Sequence, residues 1–382
     1  MVEIRRALGQ AQMWRSEDNG RTWSLAEEIP SEEALPDGTF AEWTLGPFFH
    51  DTVTDRLIRF RWSRLLKRSP ASLKGYHDFV EAHILNSYRA YYQISCDGGK
   101  TWDDTRQLIE DGPEYDSAHW ARGVTFLEGA AVLGAIPPFF TLPDGTLLLS
   151  FQGRSPLEQD RYGTIQASRF FGTWRDDGTD IAWRTGGIVP GGGCEQTIVP
   201  LKDGRLLNVL RVQGEIRPYY FSPWLRPYSI SDDGGKTWSM PQPLTWDDGA
   251  GLTTPRAWSQ LIRSSANGKL YWIANILPAL EDTDDLRKEW PGRADPRYPL
   301  QIVEVDEDKL VLKRDTMAVI EDRAPDETKF VRFSNFYAYN DRETDEIAML
   351  MMKSYHEDQP NLDRMPHPAC RYRINVCAEA AS

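Results

Sequence analysis

Glu195 and Arg211 are the residues of this sequence whose types and spacing bear most directly on chemistry. They bracket CEQTIVPLKDGRLLNVLR, in which two β-prone runs flank an Asp-Gly turn. Glu195 lies eight residues before Asp203 and Arg211 eight after it, so a hairpin through that turn sets them side by side. A carboxylate so placed can take the proton of an incoming nucleophile, and a fixed guanidinium can hold a substrate carboxylate with two parallel bonds. The same pair would serve as a salt bridge between two strands. A second group is EYDSAHWARGV, where Asp116 and His119 stand among aromatic and charged neighbours. Histidine titrates near neutrality, so His119 is a candidate general base if it faces a cleft. A histidine beside a tryptophan also serves as a hydrogen-bonded structural residue. Arg154, ending LLLSFQGR, and Arg256, in TTPRAWSQ, are further cations, each of which alone equally suits the bracing of a loop.

The chain that must position these groups has 382 residues, 40% of them hydrophobic, enough for a sizeable core. Its 44 basic and 57 acidic residues give a formal charge of -13, which disfavours binding to a nucleic-acid backbone or an anionic membrane. A local cationic pocket for a small acidic substrate is compatible with that total. Four cysteines, Cys96, Cys194, Cys370 and Cys377, form no CxxC pair and are too irregularly spaced for a disulfide scaffold, so reduced thiols are expected. No metal-ligand cluster, phosphate loop or Gx[ST]xG elbow is present, and no cofactor or metal is expected. The N-terminus has no apolar leader, and no run of about 18 apolar residues occurs. The sequence as written therefore reads as cytoplasmic, or as secreted if a leader has been removed.

The elements are legible from a repeat. SEDNGRTW (16 to 23), SCDGGKTW (95 to 102) and SDDGGKTW (231 to 238) share Ser, Asp, Gly, Thr and Trp. Their Asp-Gly or Asn-Gly centres tolerate positive φ, and Asp18, Asp97 and Asp233 can accept bonds from nearby amides. Trp23, Trp102 and Trp238 then anchor beneath the turns. RDDGTDIAW (175 to 183) reads as a worn fourth copy. Five hairpins alternate with these boxes, turning near 51, 144, 203, 266 and 341. That spacing fits one four-stranded antiparallel sheet per repeat, and such sheets arranged radially form a propeller. The expectation is an all-β, six-bladed β-propeller, one domain over residues 1–382, closed by pairing of its N- and C-terminal strands. Insertions are expected near 65–87, partly helical, and near 279–297, where loops on a rigid scaffold can gather binding residues.

The three boxes resemble the Asp-box, or BNR repeat, of the sialidase superfamily, and the resemblance extends over nearly the whole chain. In that family three arginines grip the substrate carboxylate, a Tyr-Glu pair provides the nucleophile and an Asp serves as acid/base. The segment GGGCEQTIVPLKDGRLLNVLRV resembles the family stretch in which the catalytic Glu precedes a DG hairpin, which implies that role for Glu195 and substrate binding for Arg211. DPRYPLQIVEV places Arg297 where the family has its third arginine, with Arg154 and Arg256 as further residues of the mouth. Two positions depart from the pattern. Aligning the turn at Asp341 with that at Asp203 puts Phe333 at the position of the nucleophilic Tyr, with Tyr337 and Tyr339 deeper on the same strand and expected in the core. No RxP motif accompanies Arg5 and Arg6.

Three functions follow. The first is an exo-acting glycoside hydrolase of sialidase type on an acidic glycan. The second is a uronate lyase in which arginines neutralise the carboxylate while His119 or a tyrosine removes the α-proton. The third is a non-catalytic carbohydrate-binding propeller, for which 14 tryptophans and 15 tyrosines offer stacking surfaces. The expected partner is a glycan or a small sugar, and not nucleic acid or membrane.

Overall fold

Strong β-propensity between short polar turns dictates the architecture. The computed structural model describes residues 2–7, 10–73, 78, 81–84, 87–125, 127–129, 131–135, 139–154, 165–188, 193–211, 224–277, 295–355 and 368–377. Almost all of their regular structure is antiparallel strand, with 3-10 turns at Pro70–Ser72 and Arg314–Thr316. Among them, no helix is long and apolar enough to cross a membrane. The chain divides into two compact units, Met1–Ile188 and Val189–Ser382.

The first unit contains three large sheets. Val2–Ala7, Gln10–Arg15 and Ser24–Pro30 form one. Glu32–Ala34, Phe40–Asp51, Arg56–Leu66, Arg89–Ser95 and Arg106–Gln107 form the second. The third runs Ala131–Ala135, Leu147–Arg154, Ile165–Trp174 and Ile181–Ile188, with Phe140–Thr141 pairing the other end of Leu147–Arg154, so its first strand is interrupted. Its core is rich in rings: Phe60, Trp62, Trp120, Phe151, Phe170 and Trp183 are buried together. Buried Asp51 locks one hairpin by accepting from Thr54 Oγ1 (2.6 Å), Thr141 Oγ1 (2.7 Å) and Trp174 Nε1 (2.7 Å).

The second unit repeats the plan. Cys194–Pro200, Leu206–Arg211, Pro227–Ser231 and Gln242–Pro243 form a four-stranded sheet. Gln260–Arg263, Leu270–Asn275 and Leu300–Asp306 follow, with Val311–Leu312 and Ala318–Glu321 sharing the edge of the last. Tyr337–Asn340, Ile347–Met352 and Ala369–Ile374 complete the set. All six residues of Leu270–Asn275 are buried, the pattern of a strand covered on both faces. The first strands of the three sheets are tied in sequence: Leu261 N–H donates to Thr197 Oγ1 (3.0 Å), and Gln260 exchanges side-chain bonds with the backbone of Ala338 (2.7 and 2.9 Å).

Each strict box sits between consecutive strands of one sheet and closes in the same way. Ser16, Ser95 and Ser231 donate to Asp18, Asp97 and Asp233 (2.9, 2.8 and 2.8 Å) and accept from the amides of Gly20, Gly99 and Gly235 (2.7, 2.8 and 2.8 Å). Thr22, Thr101 and Thr237 donate from Oγ1 to the same carboxylates (2.6, 2.7 and 2.6 Å). Trp23 and Trp238 donate to the carbonyls of Gly20 and Gly235, both at 3.1 Å, whereas Trp102 packs under the Arg59 guanidinium at 4.5 Å. The stretch at 175–183 keeps only an Asp177–Thr179 turn (2.9 and 2.8 Å), although Trp183 is buried.

Two expectations are corrected. The terminal strands do not pair with each other among the described residues: Val2–Ala7 pairs Gln10–Arg15 and Ala369–Ile374 pairs Ile347–Met352, so each end is satisfied within its own sheet. The six sheets of three or more strands are not uniformly four-stranded, because interrupted edges split some strands and the first and last sheets have three. The insertion near 65–87 is partly helical as expected, with the 3-10 turn Pro70–Ser72 and helical residues at 78, 81 and 82, and residues 279–294 of the second insertion lie outside the described residues.

The box bonds hold Asp18 and Asp97 well below the usual carboxylate range, chiefly through Thr22 and Thr101. A depressed folded value stabilises above the unfolded value, at about pH 4, and that contribution is lost as the pH falls towards the folded value. Thermal melts between about pH 5 and 2 should therefore show a loss of stability that becomes smaller in Asp97→Asn. Trp238→Ala, which empties the space beneath the third box, should cost about 3–5 kcal/mol by urea denaturation.

Candidate functional site

A bulge places Glu195. Cys194 pairs with Arg211 and Thr197 with Val209, so Glu195 and Gln196 oppose Leu210 alone. Glu195 has φ 43°, in the left-handed region that a non-glycine residue adopts at a cost. Gly193, at φ 108°, makes the approach feasible, since a Cβ there would lie 3.0 Å from the Arg211 carbonyl oxygen. Glu195 is thereby turned onto Arg211, and its Oε2 forms an ion pair with Arg211 Nη1, their side chains 23% and 15% exposed. Burial opposes the Arg211 charge, but Glu195 more than offsets this and raises its affinity for the proton.

Further arginines surround this pair within the second unit. Arg226 is 1% exposed, and its Nη2 donates to the carbonyls of Pro255 and Ala257, both at 3.1 Å. Burial, with help from the Arg211 charge, pushes it down to about 10, so it remains a cation at neutral pH. Arg297 is likewise pushed down to about 10, by burial and then by Arg332, and it feels both Arg211 and Glu195. Its Nη1 donates to Ser334 Oγ at 3.1 Å. Arg332 grips buried Asp295 with two bonds of 2.8 and 2.6 Å. The charges of Arg211, Arg226 and Arg256 all act on Cys194, whose thiol is pushed up to about 12, mainly by burial. That thiol is no nucleophile at neutral pH. Five guanidinium groups thus gather with two carboxylates, Glu195 and Asp295, in a chain whose total charge is negative.

The structure thus brings Glu195, Arg211, Arg256 and Arg297 into one electrostatic neighbourhood. Asp116 and His119 lie in the first unit and brace their own turn. Asp116 accepts from the amides of Ala118 and His119 (both 2.7 Å), and His119 Nδ1 lies 3.1 Å from the Glu114 carbonyl oxygen. Arg154 ends its strand, and its side chain lies outside the described residues. Phe333 is buried at 2%, consistent with a packing role. Tyr337 departs from the expected core position. It is 44% exposed at the start of its strand, and desolvation, with the neighbouring Tyr339, pushes its phenol up. Glu195 and Tyr337 both enter their strands just ahead of the ties through Thr197 and Ala338. Sequence reasoning missed Arg226 and the Asp295–Arg332 clasp. FSPWLRPYS carries no signal that its arginine turns inward, and the partners of Arg332 are 37 residues away.

The BNR/Asp-box repeat family matches residues 229–240, the third strict box. No curated protein matches the chain. Among solved structures, the NanB sialidase from Streptococcus pneumoniae is similar over 93% of this chain and 63% of its own, with a TM-score of 0.56 and 12% identity. The intramolecular trans-sialidase from Ruminococcus gnavus is similar over 96% and 88%, with a TM-score of 0.55 and 14% identity. The GH93 α-L-arabinofuranosidase of Fusarium graminearum is similar over 95% and 85%, with a TM-score of 0.50 and 11% identity. This chain therefore spans less than two thirds of the length of NanB. The chain is a β-propeller of antiparallel blades bearing BNR/Asp-box repeats, the fold of sialidases and related propeller glycosidases. The same fold carries different activities, so the function rests on the site.

If the bulge sets the Glu195–Arg211 geometry, Gly193→Ala should lower stability by about 1–3 kcal/mol, through positive φ and the close carbonyl contact. Urea denaturation checks this, and an unchanged midpoint would contradict the described bulge.

Proposed function

We propose that the protein is a glycoside hydrolase acting on an acidic glycan. The observation that carries this reading is the arginine cluster around Glu195, a concentrated cationic site in an acidic chain. Guanidinium groups suit a carboxylate because their planar donors match its two oxygens and stay charged at neutral pH. In this reading Arg211, Arg297 and Arg256 bind the substrate anion. An arriving carboxylate competes with Glu195 for Arg211 and leaves Glu195 able to accept a proton. In this reading the phenol of Tyr337, 44% exposed, supplies the hydroxyl that exchanges a proton or attacks once a base assists it. The likeness in fold to sialidases and to an arabinofuranosidase supports a glycosidase, and the sugar and linkage belong to the experiment.

Incubation of the purified protein with sialosides and uronate-containing oligosaccharides, followed by mass spectrometry of the products, tests the reading. The expected product is a hydrated terminal sugar, formed at least about 100-fold more slowly by Glu195→Gln. Arg211→Met should raise KM for acidic substrates far more than for neutral aryl glycosides. A product lighter by one water that also absorbs in the ultraviolet as an unsaturated uronide would identify a lyase, the same mass without that absorbance would identify intramolecular transfer to an anhydro sugar, and an untouched panel would leave a carbohydrate-binding propeller.

A further inference from the structure

Arg226 is a charged side chain with 1% exposure, a costly placement unless the charge has work to do. Among the described residues its acceptors are backbone carbonyls, and their positions are informative. Pro255 and Ala257 stand on either side of Arg256, and one nitrogen of Arg226 donates to both at 3.1 Å. The same loop is tied to the same segment a second time, since the Thr254 amide donates to the Trp224 carbonyl at 2.8 Å. The Ala257 amide turns back to the Pro255 carbonyl at 2.8 Å, which tightens the chain around Arg256. The Arg226 guanidinium in turn lies 5.8 Å from the ring centre of Trp272, on a strand buried on both faces. A rigid strand thus holds Arg226, Arg226 holds two carbonyls, and the carbonyls fix the backbone of Arg256.

We propose that Arg226 is a positioning residue that orients Arg256 for recognition of the substrate anion, so that specificity for acidic sugars depends on a side chain that never meets the sugar. This rests on the anion-binding reading of the site. A methionine at position 226 would fill the space and avoid burying a charge, but it would release both carbonyls. A lysine would keep the charge, but as a compact ammonium on a flexible stem in a space shaped for a planar guanidinium, so it would hold the two carbonyls less firmly. Arg256 would then sample many orientations, and the ordering of its loop would be charged to each binding event.

The experiment combines hydrogen–deuterium exchange on the free protein with calorimetric titration of N-acetylneuraminate and glucuronate into the wild type, Arg226→Met, Arg256→Ala and the double variant. Arg226→Met should speed amide exchange in residues 253–257 while the hairpin 260–275 keeps its protection. It should weaken binding of whichever acid the wild type takes by about tenfold, as expected for the loss of one charge-assisted contact. The double variant should bind no more weakly than Arg256→Ala, because Arg226 acts through Arg256. Additive losses, or unchanged exchange at 253–257, would overturn the proposal. If Arg226→Met does not fold, Arg226→Lys should show the same two effects in smaller measure, and wild-type behaviour in Arg226→Lys would overturn it equally. A wild type that binds neither acid would remove the anion-binding reading and the specificity role with it, whereas the exchange data would still report whether Arg226 holds the loop.

Discussion

A guanidinium taken out of water must find acceptors at a fixed place, and this constraint organises the whole site. Arg211 meets Glu195, Arg332 meets Asp295 and Arg226 meets two carbonyls. Each answer fixes the backbone that supplies it. Removing one partner would leave a buried charge uncompensated, which costs more than the pair contributes while intact. The bulge at Glu195, with its left-handed backbone, is the local strain that this arrangement requires.

The fold around that site is held by something much more local. In each Asp-box a carboxylate is satisfied by the serine two residues before it and the threonine four after it, so the turn closes without help from distant parts of the chain. That locality is why the boxes were legible in the sequence. The hairpin turns were legible for the same reason, because polar turn chemistry, Asp-Gly or Asn-Gly in three of the five, acts within four residues. The adjacency of Glu195 and Arg211 could be read from strand periodicity about one turn.

What depended on distant contacts was not legible. The two residues between Cys194 and Thr197 that oppose one on the partner strand leave no mark in the letters, yet they turn Glu195. Tyr337 reads as a core residue by parity, but it lies at a strand start where burial depends on the surrounding loops. Arg226 depends on carbonyls 29 and 31 residues away. The terminal strands each settle into their own sheet because a nearby antiparallel neighbour satisfies their backbone groups at smaller loop-closure cost than a partner at the other end of the chain.

The most direct test of the account is calorimetric titration of an acidic monosaccharide, such as N-acetylneuraminate, alongside its neutral methyl ester. If the arginines around Glu195 form an anion-recognition site, the acid should bind at least about tenfold more tightly than the ester, and the difference should shrink in Arg211→Met. Equal affinity for acid and ester, or a preference that survives loss of Arg211, would contradict it.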